Sequence, residues 1–180
     1  MNPVELGQGT FPLSEAATDR FAIMVNIGYL PPHEEARLAT FDFKRVRLNV
    51  LMSKERIIQL RRAIGEIVFL HDRVAHYIQR LVAATRPYNP DTDWLRHSPS
   101  DLVERGVDLG ASPRAIIVWA RLAKAWALLV RHRADVYPED IQDLAPYVLS
   151  HRLWLGPHAA SHGLTTDLVI ADIIERVPIP

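Results

Sequence analysis

Several features are missing from this sequence of 180 residues, and each absence narrows what the chain can do. It has no cysteine, which excludes disulfides, thiolate catalysis and cysteine-ligated zinc. No uninterrupted apolar run approaches the roughly 20 residues that span a bilayer, and the N-terminus lacks the pattern of a signal peptide. Basic and acidic residues balance at 21 each, so no net charge draws the chain to nucleic acid or to an anionic membrane. We therefore expect a cytoplasmic protein with neither nucleic acid nor a membrane as a partner.

A glycine-rich phosphate loop of the form GxxxxGK[ST] is also absent, yet two stretches each place an arginine at a defined backbone position. Residues 9–21 read GTFPLSEAATDRF, and residues 110–115 read GASPRA. In the second stretch Ser112 is a good N-cap and Pro113 suits the first helical position, which puts Arg114 in the first turn beside unpaired N–H groups. A cation there is mildly unfavourable unless an anion binds to both the arginine and the N–H groups. The residues alone leave open a solvated arginine that pairs with a nearby carboxylate.

Arg20 lies at a similar kind of junction. Ser14 can begin a short helix, and residues 22–29 (AIMVNIGY) are short and nearly all apolar, as in a strand that is buried on both faces. Arg20 would lie between these two elements, rigidly placed near the surface. The alternative to a functional arginine is a surface pair of Asp19 with Arg20, which would have little energetic weight.

Helix signals dominate the rest of the chain. The predicted helices share an N-terminal cap or proline and an apolar face, and they cover about 31–37, 53–67, 72–82, 113–133, 138–154 and 165–176. Ser53, Asp72 and Thr165 or Thr166 are the predicted caps. The helix over 113–133 is apolar almost all round, which predicts that it is the centre of a bundle. Residues 87–101 hold three prolines and three aspartates, and this composition predicts a loop.

Two further groups of polar residues have an ordinary alternative. His158 and His162 are four residues apart, but the glutamate of the zinc-protease pattern is missing, so we predict a loop with surface histidines and no metal site. Arg121, Lys124 and Arg131 share roughly one side of the central helix. They are either a phosphate-facing stripe or a solvated face, and the second interpretation is the more ordinary one.

Together the two arginine stretches, and the order of everything between them, resemble the MoxR family of AAA+ ATPases. The family pattern GT[FY]PLPEAxxDRF matches residues 9–21, with Ser14 in place of a proline and Thr18 in place of a leucine or similar residue. The resemblance covers essentially the whole chain but only the C-terminal half of the family. It implies a mainly α fold, with a helical AAA+ lid domain over residues 45–180. A remnant of an α/β P-loop NTPase core, with one strand and short helices, would precede it over residues 1–44.

The resemblance also implies roles for three residues. Arg20 would be the arginine finger, which acts in trans on the nucleotide of a neighbouring subunit and stabilises charge on the transferring phosphoryl group. Arg114 would be sensor 2, which reaches the phosphates of ATP from the lid. Asn2, in the dipeptide that precedes the finger stretch, would be sensor 1 and would orient the attacking water.

For the complete protein the resemblance implies a chaperone-like machine. AAA+ subunits would form a ring, expected to be a hexamer, that uses ATP and Mg²⁺ to remodel or mature partner proteins, often ones with von Willebrand factor A (VWA) domains. The family's Walker A and Walker B motifs have no counterpart in these 180 residues. We therefore expect this chain alone neither to bind ATP stably nor to hydrolyse it. The alternative is a non-catalytic helical module, folding around residues 53–177, that binds a protein partner.

Overall fold

The computed structural model describes residues 13–87 and 100–180, which are mainly helical and contain one small antiparallel sheet. The helices in chain order are α1 Glu15–Thr18, α2 Pro32–Glu35, α3 Lys54–Ile67, α4 Asp72–Ala84, α5 Asp101–Gly106, α6 Arg114–Leu129, α7 Pro138–Leu149, α8 Pro157–Ser161 and α9 Thr166–Arg176. Turns of 3-10 helix cover Ala36–Thr40, Phe43–Arg45 and Ser150–Arg152. The sheet pairs β1 Val107–Leu109 with β2 Trp154–Leu155, with Val107 opposite Leu155.

Three predicted helix caps can be compared with the structure. The Ser53 hydroxyl accepts a hydrogen bond from the Arg56 N–H at 3.2 Å, and the Thr165 hydroxyl accepts one from the Leu168 N–H at 3.3 Å, which confirms both caps. The cap of α4 was wrong by one residue. Nδ1 of His71 accepts from the Arg73 N–H at 3.2 Å, and Asp72 is the first helical residue. A carboxylate at that first position still favours the helix dipole.

The helix α6 lies at the centre of the bundle, as its all-round apolar sequence predicts. It packs against α3, α4 and α7, and its buried side chains are Ala115, Trp119, Ala123 and Ala127. The small alanines allow neighbouring helices to approach closely, while the indole of Trp119 fills the core and donates to the Ile141 carbonyl at 3.2 Å. The helix ends at Leu129, earlier than predicted, because the chain turns through a left-handed residue, His132, with φ 54°.

The predicted strand over residues 22–29 is wrong for this structure. No strand is assigned there, and the only backbone N–H of the described residues 22–30 that donates a hydrogen bond is that of Met24, to the Tyr147 carbonyl at 2.9 Å. Ile27 and Tyr29 are each 94% exposed. A strand that is buried on both faces needs neighbouring strands, and no described residue provides a ladder beside this segment.

A second correction concerns residues Pro157–Ser161. They form the short helix α8 rather than a loop, because Pro157 suits the first helical position and Gly163, with φ 84°, ends the turn. In the part of the chain that the structure describes, no helix is both long enough and apolar enough to cross a membrane.

The described chain thus has two regions. The N-terminal segment, residues 13–52, contains no buried residue, whereas the helical region from residue 53 onward contains the whole hydrophobic core of the described residues. The two regions meet where residues 19–24 lie against the end of α7 and the start of α6. That junction holds the predicted site residues that the structure describes.

Candidate functional site

The turn before α6 is held in place by the C-terminal end of α4. The Thr85 hydroxyl accepts a hydrogen bond from the Ala111 N–H at 2.9 Å, and Nε of Arg86 donates to the Ala111 carbonyl at 2.9 Å. A Cβ atom built on Gly110 would lie 2.4 Å from the Thr85 carbonyl oxygen, so only glycine permits this approach. These contacts fix the backbone that leads directly into Arg114.

Arg114 is the first residue of α6, but the N–H groups beside it are already bonded. Its own N–H donates to the Ser112 hydroxyl at 3.2 Å, and the next two donate to the carbonyls of Ser112 and Pro113 at 3.0 and 3.1 Å. The prediction of unpaired N–H groups at this helix start is therefore wrong, since a serine and a tightened first turn satisfy them. An anion at this position would meet the guanidinium of Arg114, whose side chain is 58% exposed.

Asp19 connects this helix start with the segment that carries Arg20. Its Oδ2 accepts a hydrogen bond from the Ser112 hydroxyl at 2.8 Å and lies 3.8 Å from Nε of Arg114. Its Oδ1 accepts from Nε of Arg152 at 3.2 Å. One carboxylate thus faces two guanidinium groups, which leaves a local excess of positive charge.

The alternative interpretation of Asp19, as a surface partner of Arg20, is wrong because the carboxylate bonds to Ser112 and Arg152 instead. Arg20 follows α1, and its N–H donates to the Ala17 carbonyl at 3.3 Å. Its side chain is exposed, and no ion pair joins it to an acidic residue of the described chain. The structure therefore brings the backbone of Arg20 to the same junction as Arg114, through Asp19.

Sequence reasoning missed Arg152 altogether. This residue is only 3% exposed, and its guanidinium lies between the end of α7 and residues 19–22. Burial lowers the pKa of Arg152 from its ordinary value, and the Asp19 carboxylate opposes that effect. An arginine just after a helix is common near the C-terminal end of the helix dipole, so nothing local distinguished it.

The remaining candidates lie apart from this junction or outside the described chain. The rings of His158 and His162 have centroids 4.2 Å apart, and no group of three or more potential metal ligands occurs among residues 13–87 and 100–180. Nζ of Lys124 donates to the Gly65 carbonyl at 3.0 Å and Arg131 pairs with Asp143, which favours a solvated face over a phosphate-facing stripe. The predicted sensor 1 residue, Asn2, and residues 88–99 of the predicted loop lie outside the described residues.

Comparison with known proteins identifies the helical region. Residues 100–173 match the family model of the AAA lid domain. The chain is 32% identical to Chaperone MoxR1 of Mycobacterium tuberculosis over 180 residues, which are 99% of this chain and 45% of that protein. It is 31% identical to Protein MoxR of Methylorubrum extorquens, over 95% of this chain and 51% of that protein.

The chain belongs to the MoxR family. Uncharacterized protein YeaC of Bacillus subtilis is 36% identical to this MoxR-family chain, over 99% of the chain and 51% of YeaC. A crystal structure of a putative ATPase from Cytophaga hutchinsonii superposes with a TM-score of 0.79 and 32% identity, over 99% of this chain and 52% of the other. The chain spans about half the length of the curated relatives that it matches. Arg114 and Arg152 lie within the matched lid domain, whereas Asp19 and Arg20 precede it.

Proposed function

We propose that this chain supplies the lid and two phosphate-directed arginines, Arg114 and Arg20, of a MoxR-type AAA+ ATPase. In a chaperone-like way, the complete protein would use ATP to remodel or mature partner proteins. The observation that carries the proposal is the junction at Asp19, where the start of α6 meets the segment that presents Arg20. One carboxylate shared by Arg114 and Arg152 leaves positive charge there that an anionic ligand can neutralise.

Arg114 suits the role of sensor 2 because its backbone is fixed by the turn before α6, while its guanidinium is only weakly bound. The 3.8 Å separation of its Nε from Asp19 Oδ2 is longer than the roughly 2.7–2.9 Å of a good charge-assisted hydrogen bond. An ion pair this long and this exposed contributes at most about 1 kcal/mol, so a phosphate can take the guanidinium away from Asp19 at little cost. The lid orientation would then depend on whether a nucleotide is bound.

Arg20 suits the role of an arginine finger that acts in trans. Its side chain is exposed, so it can reach a neighbouring subunit, while its backbone is fixed by the contacts of Asp19. A finger of this kind stabilises the charge that develops on the transferring phosphoryl group and is worth about 10³–10⁵ in kcat in other nucleotide hydrolases. Asn2 is proposed as the sensor 1 residue that orients the attacking water.

The nucleotide of the complete protein would be ATP with Mg²⁺, and ATP supplies the phosphoryl group that is transferred to water. Neither a Walker A lysine nor a Walker B acid is found among these 180 residues, so we propose that the chain alone does not turn over ATP. AAA+ subunits would assemble into a ring, expected to be a hexamer, and VWA-domain proteins are the proposed clients. Magnesium-dependent ATP turnover by the purified chain would contradict the proposed inactivity.

The test measures binding of the chain to complete MoxR1 with Mg²⁺ and a slowly hydrolysed ATP analogue, and again without nucleotide. The expected result is binding at least about tenfold tighter with the analogue, a difference of roughly 1.4 kcal/mol. Arg20→Ala and Arg114→Ala should each remove most of that gain. Arg121→Ala is the matched control, because it removes an exposed arginine from the same α6 helix at a distance from the junction. Binding that is equal with and without the analogue would support the non-catalytic interaction module instead.

A further inference from the structure

Arg152 is the one lysine or arginine that is almost fully buried among residues 13–87 and 100–180. All three of its nitrogens donate hydrogen bonds. Nε donates to Asp19 Oδ1 at 3.2 Å, and the two terminal nitrogens donate to the carbonyls of Val148, Asp19, Phe21 and Ala22. A buried guanidinium is costly unless it is paired and hydrogen-bonded in this way, so the arrangement has to be maintained as a unit.

These contacts bracket Arg20. The residue before it, Asp19, accepts from Arg152 through both its carboxylate and its carbonyl, and the residue after it, Phe21, accepts through its carbonyl. The side chain of Arg20 remains exposed between them. The main chain of Arg20 is thus fixed on both sides by one buried arginine of the lid, while its guanidinium stays available.

Two further hydrogen bonds extend the same attachment. Nε2 of His151 lies 3.0 Å from the Phe21 carbonyl oxygen, and the Met24 N–H donates to the Tyr147 carbonyl at 2.9 Å. The lid side of every one of these contacts belongs to α7 or to the 3-10 turn that follows it. Beyond Met24, no backbone hydrogen bond joins residues 25–30 to the rest of the described chain. The attachment is therefore local to residues 19–24.

The arrangement requires the shape of arginine as well as its charge. A planar guanidinium offers five N–H donors in a fixed fork, so it can bond one carboxylate and several carbonyls at once. A lysine ammonium offers three donors from a single point and cannot span the same set of acceptors. Asp19 is the carboxylate that balances the charge of Arg152, and its other oxygen faces Ser112 and Arg114.

We infer that Arg152 is a positioning residue for Arg20. It attaches the main chain on both sides of Arg20 to the lid, so that Arg20 and the lid move as one body. A lid that turns when Arg114 engages a phosphate would then carry Arg20 with it, toward or away from the neighbouring subunit. The chemical consequence rests on the proposed function of Arg20 and Arg114. The attachment itself can be tested without any nucleotide.

The first experiment measures amide hydrogen exchange of the full chain with Arg152→Lys. Exchange at Phe21 and Met24 should accelerate at least about tenfold, while the amides of α6 stay within about twofold of their original rates. Arg133→Lys is the matched control, because Arg133 pairs with Asp140 at 2.7 Å inside the lid and does not contact residues 19–24. If Arg152→Lys does not fold, Asp19→Asn keeps the side-chain shape, removes the balancing charge and is measured in the same way. Unchanged exchange at residues 20–24, or equal acceleration in α6, would overturn the inference.

The second experiment uses the nucleotide-dependent binding to MoxR1 and a double-mutant cycle. Arg152→Lys should lose most of the gain that the ATP analogue gives, and Arg20→Ala combined with Arg152→Lys should lose no more than Arg20→Ala alone. Additive losses would show that Arg152 does not act through Arg20 and would overturn the inference. If Arg20→Ala itself has no effect while residues 20–24 still loosen in Arg152→Lys, the proposed role of Arg20 fails and the attachment stands.

Discussion

The N-terminal segment and the helical region both carry many large apolar side chains, but these are largely exposed in the segment and largely buried in the helical region. In the helical region Trp119, Tyr77 and Ile78 are fully buried. In the N-terminal segment Ile27 and Leu51 remain almost fully exposed. Both sequences are apolar, but only the helical region repeats its apolar residues at a spacing that gives each helix a face to place against a neighbour.

The difference shows that apolar side chains favour burial but do not by themselves provide the neighbouring element against which they can be buried. A helix satisfies its own backbone, so an apolar face is all that it needs for packing. An extended segment such as residues 22–30 must also find another strand for its N–H and C=O groups. Among the described residues of the N-terminal segment, only residues 19–24 form hydrogen bonds with the helical region, and their partners there are Ser112, Arg152, His151 and Tyr147.

The largest expected effect is a contrast in amide exchange between the two regions. Residues 25–30 have exposed backbones, so their amides should exchange near the rate of an unfolded chain. The amides of Trp119 and Ala123 should exchange only when the bundle opens, at least about a thousandfold more slowly for a domain of ordinary stability. Exchange at residues 25–30 as slow as that in α6 would contradict the contrast.

A pair of glycine substitutions sharpens the comparison within the helical region. Gly110→Ala should lower the free energy of unfolding by about 1–3 kcal/mol, because the new methyl group would collide with the Thr85 backbone. Gly65→Ala is the matched control in α3, where nothing lies within 4 Å of the added Cβ, and it should raise the same free energy by about 0.5–1 kcal/mol. Denaturant titrations measure both, and changes of the same sign in the two variants would count against this account of the turn.

The smallest expected effect is a pH dependence of the contact between the segment and the lid. Burial lowers the pKa of His151, while its hydrogen bond to the Phe21 carbonyl and the charge of Asp19 oppose the shift and Arg152 adds to it. Because the folded pKa lies below the unfolded value of about 6.5, the stabilisation that neutral His151 contributes to the folded chain is fully present above that pH and weakens as the pH falls through the folded pKa.

Amide exchange at residues 21–24, corrected for the intrinsic effect of pH, measures this weakening, which should stay below about tenfold. In the structure Nδ1 of His151 is buried and finds no hydrogen-bond partner among the described residues, so a proton added there is unfavourable. His151→Gln cannot titrate and should remove the pH dependence. If the variant keeps the full dependence, His151 is not its source.

Local chemistry made much of the helical region predictable. Ser53 and Thr165 cap the helices that their positions predicted, and the apolar sequence of α6 predicted its central place, because caps and periodicity depend on near neighbours in the sequence. The bond between Asp19 and Arg152 joins residues 133 positions apart, and no local pattern encodes such a contact. The strand predicted over residues 22–29 failed for a related reason, since its formation depends on strands that its own sequence cannot supply.

The turn that leads into Arg114 is held by few groups. The N–H and carbonyl of Ala111 bond to the Thr85 hydroxyl and the Arg86 guanidinium, the Ser112 hydroxyl bonds to Asp19, and position 110 requires a glycine. The outward-facing side chains of the bundle take no part in that anchorage. Over evolutionary time the outer surface of the lid is therefore free to diverge and acquire new binding preferences, while the geometry of its arginine stays constant.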